Sequence, residues 1–143
     1  WLRASIAIIA GYLGDRLQSI RVILISFGLS IIGGLCIYSG WLNELTGFAL
    51  LNLSITAAGI YAIRSLYFAI LKEARIPLAL TGTAVGIVSI IGYTPDVFMS
   101  PWMGRLLDSN PGVVGHQNVF LVLAGFSGIG FLTALVFKRI HEN

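Results

Sequence analysis

Arg64 is the residue most in need of an explanation. It sits inside a long apolar stretch, and the next base, Lys72, comes eight positions later. A guanidinium can bind an anionic ligand or pair with a carboxylate on a neighbouring element. It can also lay its stem along an apolar surface and carry the charge outward, which is the plainer use. Tyr61, three positions before it, suits either an interface or a cavity wall. Asp96 follows Pro95 in a second apolar stretch. An acid there can relay protons, although a place near a helix end gives it a solvated or capping role instead. The run Gly11-Tyr12-Leu13-Gly14-Asp15-Arg16, with Arg21 five positions on, sets opposite charges beside small residues. Such a cluster can hold one conformation shut until a rearrangement breaks it. His116 and His141 stand apart from each other and from any pair of acids, so neither reads as a ligand. Cys36 is the sole cysteine, which excludes an intramolecular disulfide and a cysteine metal cluster. No nucleophile–base pair, phosphate loop or metal spacing is present. We therefore expect no enzyme, no metal and no cofactor.

These residues lie in an unusual background. Of 143 residues, 57% are hydrophobic and 10% charged, against about 45–50% and about 25% in soluble domains. The mean hydropathy is +0.90. A soluble fold this short has too much surface to cover with so few charges. A soluble enzyme, a disordered tail and a nucleic-acid binder are excluded, and an integral membrane protein in contact with the lipid bilayer is left. The net charge of +3 does not alter this. The bases come in ones and twos between apolar runs, which is the pattern of topology signals and not of a nucleic-acid patch.

The elements that must position the polar residues follow from those runs. Approximate spans are 1–14, 22–42, 45–71, 76–98 and 118–137. All but the first are near or above the ~20 residues that cross the hydrocarbon. In lipid such runs must be helices, because an open strand leaves backbone groups unpaired. The expected fold is an all-α polytopic membrane protein, a single transmembrane region over 1–143 with four complete helices and one truncated. The chain starts at Trp1 within an apolar run, so it reads as a fragment. Pro77 suits the first turn of a helix. Pro95, Pro101, Pro111 and Gly112 break the chain around the fourth connection, and 97–107 either extends the helix or forms a short interfacial one. Gly82 and Gly86 are four apart, on one helical face, which permits close helix packing. Gly33, Gly34, Gly125, Gly128 and Gly130 are packing or flexibility positions on the same argument. Arg16 with Arg21, Lys72 with Arg75, and Lys138 with Arg139 mark alternate connections, whereas Asn43 and Glu44 carry no base. The positive-inside rule puts the basic connections and the C-terminus in the cytoplasm.

The run at 11–16 with Arg21 resembles the loop signature of the major facilitator superfamily: Gly, any residue, Leu, a small residue, Asp, Arg, then further bases. Gln18, Ser19 and Ile20 depart from the family's usual Gly and two bases. The stretches Lys72-Glu73-Ala74-Arg75-Ile76-Pro77, Thr81-Gly82-Thr83-Ala84-Val85-Gly86-Ile87, Gly92-Tyr93-Thr94-Pro95-Asp96 and Pro101-Trp102-Met103-Gly104-Arg105-Leu106-Leu107-Asp108 are similar to the surroundings of the penultimate helix in such transporters. The resemblance implies the end of helix eight through helix twelve, with helices two to six as the competing placement. It further implies secondary active transport of a small solute by alternating access. Gly11, Leu13, Asp15, Arg16 and Arg21 would form a conformational switch loop. Arg64 and Tyr61 would face the cavity, and contact with Arg64 would make the solute anionic. The missing N-terminal helices of the same transporter would be the partner, in an inner or plasma membrane of bacterial type. A non-transporting membrane subunit packed against partner helices is the alternative.

Overall fold

In a computed structural model the chain is built of helices, described here over residues 2–40, 46–66 and 68–142. Their order is α1 (Leu2–Leu17), α2 (Ser19–Tyr38), α3 (Thr46–Leu66), a single turn α4 (Ile70–Glu73), a 3-10 turn (Leu78–Leu80), α5 (Thr81–Ser109) and α6 (Val113–Glu142). No strand occurs among the described residues, as the cost of unpaired backbone in lipid requires. Among the described residues, four stretches are long and apolar enough to cross a membrane: Ser19–Tyr38, Gly47–Leu66, Leu78–Ser109 and Val113–Ile140. The protein is therefore an all-α polytopic membrane protein. Its surface fits that solvent. Ile8, Ile25, Phe48, Leu78, Val97 and Leu132 all project outward, as side chains do when hydrocarbon is the surrounding medium.

The core forms on α2, which packs most extensively against α6 and α3. Ile20, Val22 and Ile23 of α2 meet Ala10 of α1, Ala62 and Leu66 of α3, and Ala134 of α6. Lipid tails are as apolar as leucine, so close packing and hydrogen bonds hold such helices together. Small residues supply that closeness. Ser26, Ser30, Gly33 and Gly34 recur every three or four positions along α2 and are buried. Opposite them on α3 lie Thr56, Gly59 and Ala62. The Asn52 amide donates to the Gly33 carbonyl at 2.9 Å, tying α3 to α2 directly. Gly34 faces the backbone of Phe120 and the methyl of Ala124 on α6, and Gly130 of α6 takes the ring of Phe27.

Several boundaries differ from expectation. The helix through Pro95 and Pro101 does not break there; α5 runs on to Ser109, and the turn comes at residues 110–112, where Gly112 has φ +91°. Proline is tolerated within membrane helices because local adjustments and neighbouring hydroxyls compensate. Thr94, next to Pro95, turns its hydroxyl back onto its own helix, donating to the Ile90 carbonyl. The third span ends at Leu66 and not at residue 71. The last begins at Val113, five residues before position 118. The base-free connection at Asn43 and Glu44, the Trp1 start and the aromatic Tyr67 lie outside the described residues.

Candidate functional site

Arg64 lies in the last turn of α3. A cation is favoured there by the helix dipole. The sequence placed it deeper, because α3 was expected to continue. One guanidinium nitrogen, Nη2, donates to Oδ2 of Asp96 at 2.7 Å. Asp96 belongs to α5, so the ion pair joins two helices. The guanidinium carbon also stands 5.9 Å from the ring centre of Tyr93, within cation–π range. Tyr93 and Asp96 are three positions apart and share a face of α5. Arg64 therefore has two partners from one helix. Both side chains of the pair are about half exposed, 47% for Arg64 and 55% for Asp96.

Beside this pair is a cavity of about 540 Å³. Ile20, Ile23 and Phe27 of α2, Ile63 and Arg64 of α3, Ile70 of α4, Val88 to Tyr93 in part from α5, and Gly130, Thr133, Ala134 and Phe137 of α6 line it. The wall is almost wholly hydrocarbon, and Arg64 is the one full charge among its described residues. The Thr133 hydroxyl is already committed to the Ile129 carbonyl at 2.9 Å. Pro95 lacks the N–H that would bond the carbonyl of Ile91, a wall residue four positions earlier. Such a cavity, apolar with one fixed charge, has the size and character of a small-molecule site.

The remaining expected residues fall elsewhere. Tyr61 is half-buried and does not line this cavity. Gly11, Leu13, Asp15 and Arg16 do not form a loop, because α1 continues through them to Leu17. The guanidinium of Arg16 lies 5.0 Å over the ring of Tyr12 on its own helix. No ion pair among the described residues involves Asp15. Gly14 packs under Leu66. The joint to α2 is the single residue Gln18, with φ 73° and ψ 130°, and Arg21 is already in the first turn of α2. Gly82 and Gly86 meet open space, with no atom within 4 Å of a methyl built on either. No described residue of α5 is buried, so the packing expected at those two glycines has no described helix to supply it. Among the described residues no group of three potential ligands could hold a metal ion.

Sequence reasoning missed the pairing of Asp96 with Arg64. Its signal was present: two opposite charges, each alone in its own apolar run, are the natural counter-ions of one another. Reading the prolines as a helix end moved Asp96 to the surface and hid it. The tight α2–α3 seam was also missed at Gly59, where the periodic Ser26, Ser30 and Gly33 would have pointed to it.

Over 84 residues the chain is 41% identical to the inner membrane protein YqcE of Escherichia coli strain K12, an alignment that covers 57% of this chain and 19% of that protein. Over 85 residues it is 36% identical to the inner membrane protein YihN of the same organism, covering 59% of this chain and 20% of that one. The match thus spans about a fifth of either relative's length. No solved structure matches. No family model matches either, and the relatives' names state a membrane location without a transporter family. The assignment to the major facilitator superfamily is accordingly corrected. Its chief motif is part of α1, with Asp15 in no described ion pair, and not a charged loop. The relatives are inner membrane proteins by name, and this chain has helices long and apolar enough to cross a membrane.

Proposed function

We propose that the chain forms part of a solute carrier, contributing the wall and the cation of a binding cavity that opens alternately to the two sides of the membrane. The observation that carries this reading is the Arg64–Asp96 pair, set between two apolar helices at the edge of a cavity of about 540 Å³. Ionisable groups within membrane helices are costly, at least ~2.5 kcal/mol near the centre, and mark solute or ion pathways by default. The wall offers a cation and aromatic rings. These are groups that bind, so the reading is of a carrier and not an enzyme. Further helices of the same assembly cover α5, whose half-exposed acid is otherwise left facing lipid. The assembly sits in an inner membrane like its relatives, with the α1–α2 joint and the C-terminus on the cytoplasmic side. The exposed charges Asp15 and Arg16 at that joint bias the two states of the cavity.

The exposed face of α5 favours a second reading, a non-transporting subunit that docks on partner helices. Accessibility separates the two. In a Cys36→Ala background, a cysteine at Thr133 is expected to react with an impermeant thiol reagent in both right-side-out and everted vesicles. A cysteine at Gln18 should react in everted vesicles only. Asp15→Asn should shift the ratio of the two Thr133 rates, a tenfold shift corresponding to ~1.4 kcal/mol. Labelling of the Thr133→Cys variant from one side alone would remove the carrier reading and leave the subunit.

A further inference from the structure

We infer that the cavity takes an amphipathic monoanion, a carboxylate on an aromatic or branched apolar body, and that the ligand's carboxylate replaces Asp96 as the partner of Arg64. This rests on the carrier reading and deepens it by naming the class of solute. The wall itself selects for that class. Phe27, Ile91 and Phe137 present hydrocarbon and rings, which favour an apolar body. Among the described wall residues Arg64 alone has a full charge, so the polar end of a ligand is drawn to it. A cationic end would meet the guanidinium while the neutralising carboxylate of Asp96 is already engaged with it. A neutral ligand would leave the Arg64–Asp96 bond as it is and gain nothing from the charge.

Arg64 is placed for an exchange of partners. It is both a wall residue and the donor to Asp96. Only Nη2 is engaged with the carboxylate, and a guanidinium carries five N–H donors in a fork that suits a second carboxylate. Neither member is sealed in place, at 47% and 55% exposure. An arriving carboxylate can bind the free edge of the fork and then displace Asp96. Asp96 keeps the cation neutralised while the cavity is empty, which lowers the cost of holding a charge there. The Tyr93 ring, 5.9 Å from the guanidinium carbon, supports it in either state.

The test uses the intact protein in lipid nanodiscs and two probes, 4-phenylbutyrate and its neutral amide, 4-phenylbutyramide. Binding is measured by equilibrium dialysis of radiolabelled probe, with empty nanodiscs subtracted. The acid should bind at least tenfold more tightly than the amide. Arg64→Gln should abolish that preference, and Arg64→Lys should keep part of it. Asp96→Asn should bind the acid as tightly as the unaltered protein or more so, since the competing carboxylate is gone. Equal binding of acid and amide, binding of neither, or an acid preference that survives Arg64→Gln overturns the inference. The acid–amide comparison needs no variant, so it decides even if a substitution prevents folding. An absent acid preference together with two-sided labelling at Thr133 sinks this inference and spares the carrier. Acid preference with one-sided labelling does the reverse.

Discussion

At Gly59 there is no room for a methyl group. A Cβ built there stands 2.7 Å from both the Ser26 carbonyl oxygen and the Ser30 hydroxyl of α2. Neither can withdraw easily. The carbonyl is helix backbone, and the Ser30 hydroxyl is held to it at 3.0 Å. Gly59→Ala should therefore push α3 off α2 and cost about 1–3 kcal/mol, the range for overpacked cores. Gly82→Ala meets open space and should be neutral or gain up to ~1 kcal/mol from helix propensity. Unfolding midpoints in mixed SDS micelles compare the two directly, and equal midpoints would discard the seam as a source of stability. The pair shows how far glycine spacing can be read. Gly82 and Gly86 have the four-residue spacing of a packing motif, yet spacing identifies a face and not its neighbour. Arg64 was more legible. A lone charge in an apolar run must either find a partner or carry its charge out of the hydrocarbon, and the structure was needed both to choose pairing and to name Asp96.

Helices α1 and α2 are joined by Gln18 alone, with φ 73° and ψ 130°. A side chain at positive φ away from the small left-handed basin costs of order 1–3 kcal/mol, and glycine relieves most of it. Gln18→Gly should raise stability by about 1 kcal/mol in the same SDS assay; a loss would show that the amide side chain is holding the joint. This joint was not legible from the sequence, because glutamine carries no turn signal. The apolar runs, by contrast, located α2 and α6 well. Their charge-free lengths match what the bilayer demands. The run through Pro95 and Pro101 was misjudged for a physical reason. Punctuation rules learned in water assume that a broken hydrogen bond is repaired by solvent, and a helix in hydrocarbon keeps its course instead.

On the scale of the molecule, α5 is the exception, a long span of which no described residue is buried. Its tie to the bundle includes the edge-to-face contact of Trp102 with Phe126 of α6, 6.2 Å between ring centres, and the ion pair to α3. Composition alone established the medium, but it could not rank the helices by burial, since every span is apolar on all sides. The dependence of α2 on α6 has a consequence for biogenesis. The ribosome releases α2 and α3 before α5 and α6, so α2 waits in the membrane with the face around Phe27 and Gly34 uncovered until its main partner arrives. Contacts this distant in sequence are slow to form and leave partly assembled chains open to degradation. A chain stopped after Asn110 should insert and then be cleared by membrane proteases several-fold faster than the full chain, as read by pulse-chase. Equal lifetimes would mean that α3 alone is enough to shelter α2, and that quality control cannot tell a half-built bundle from a finished one.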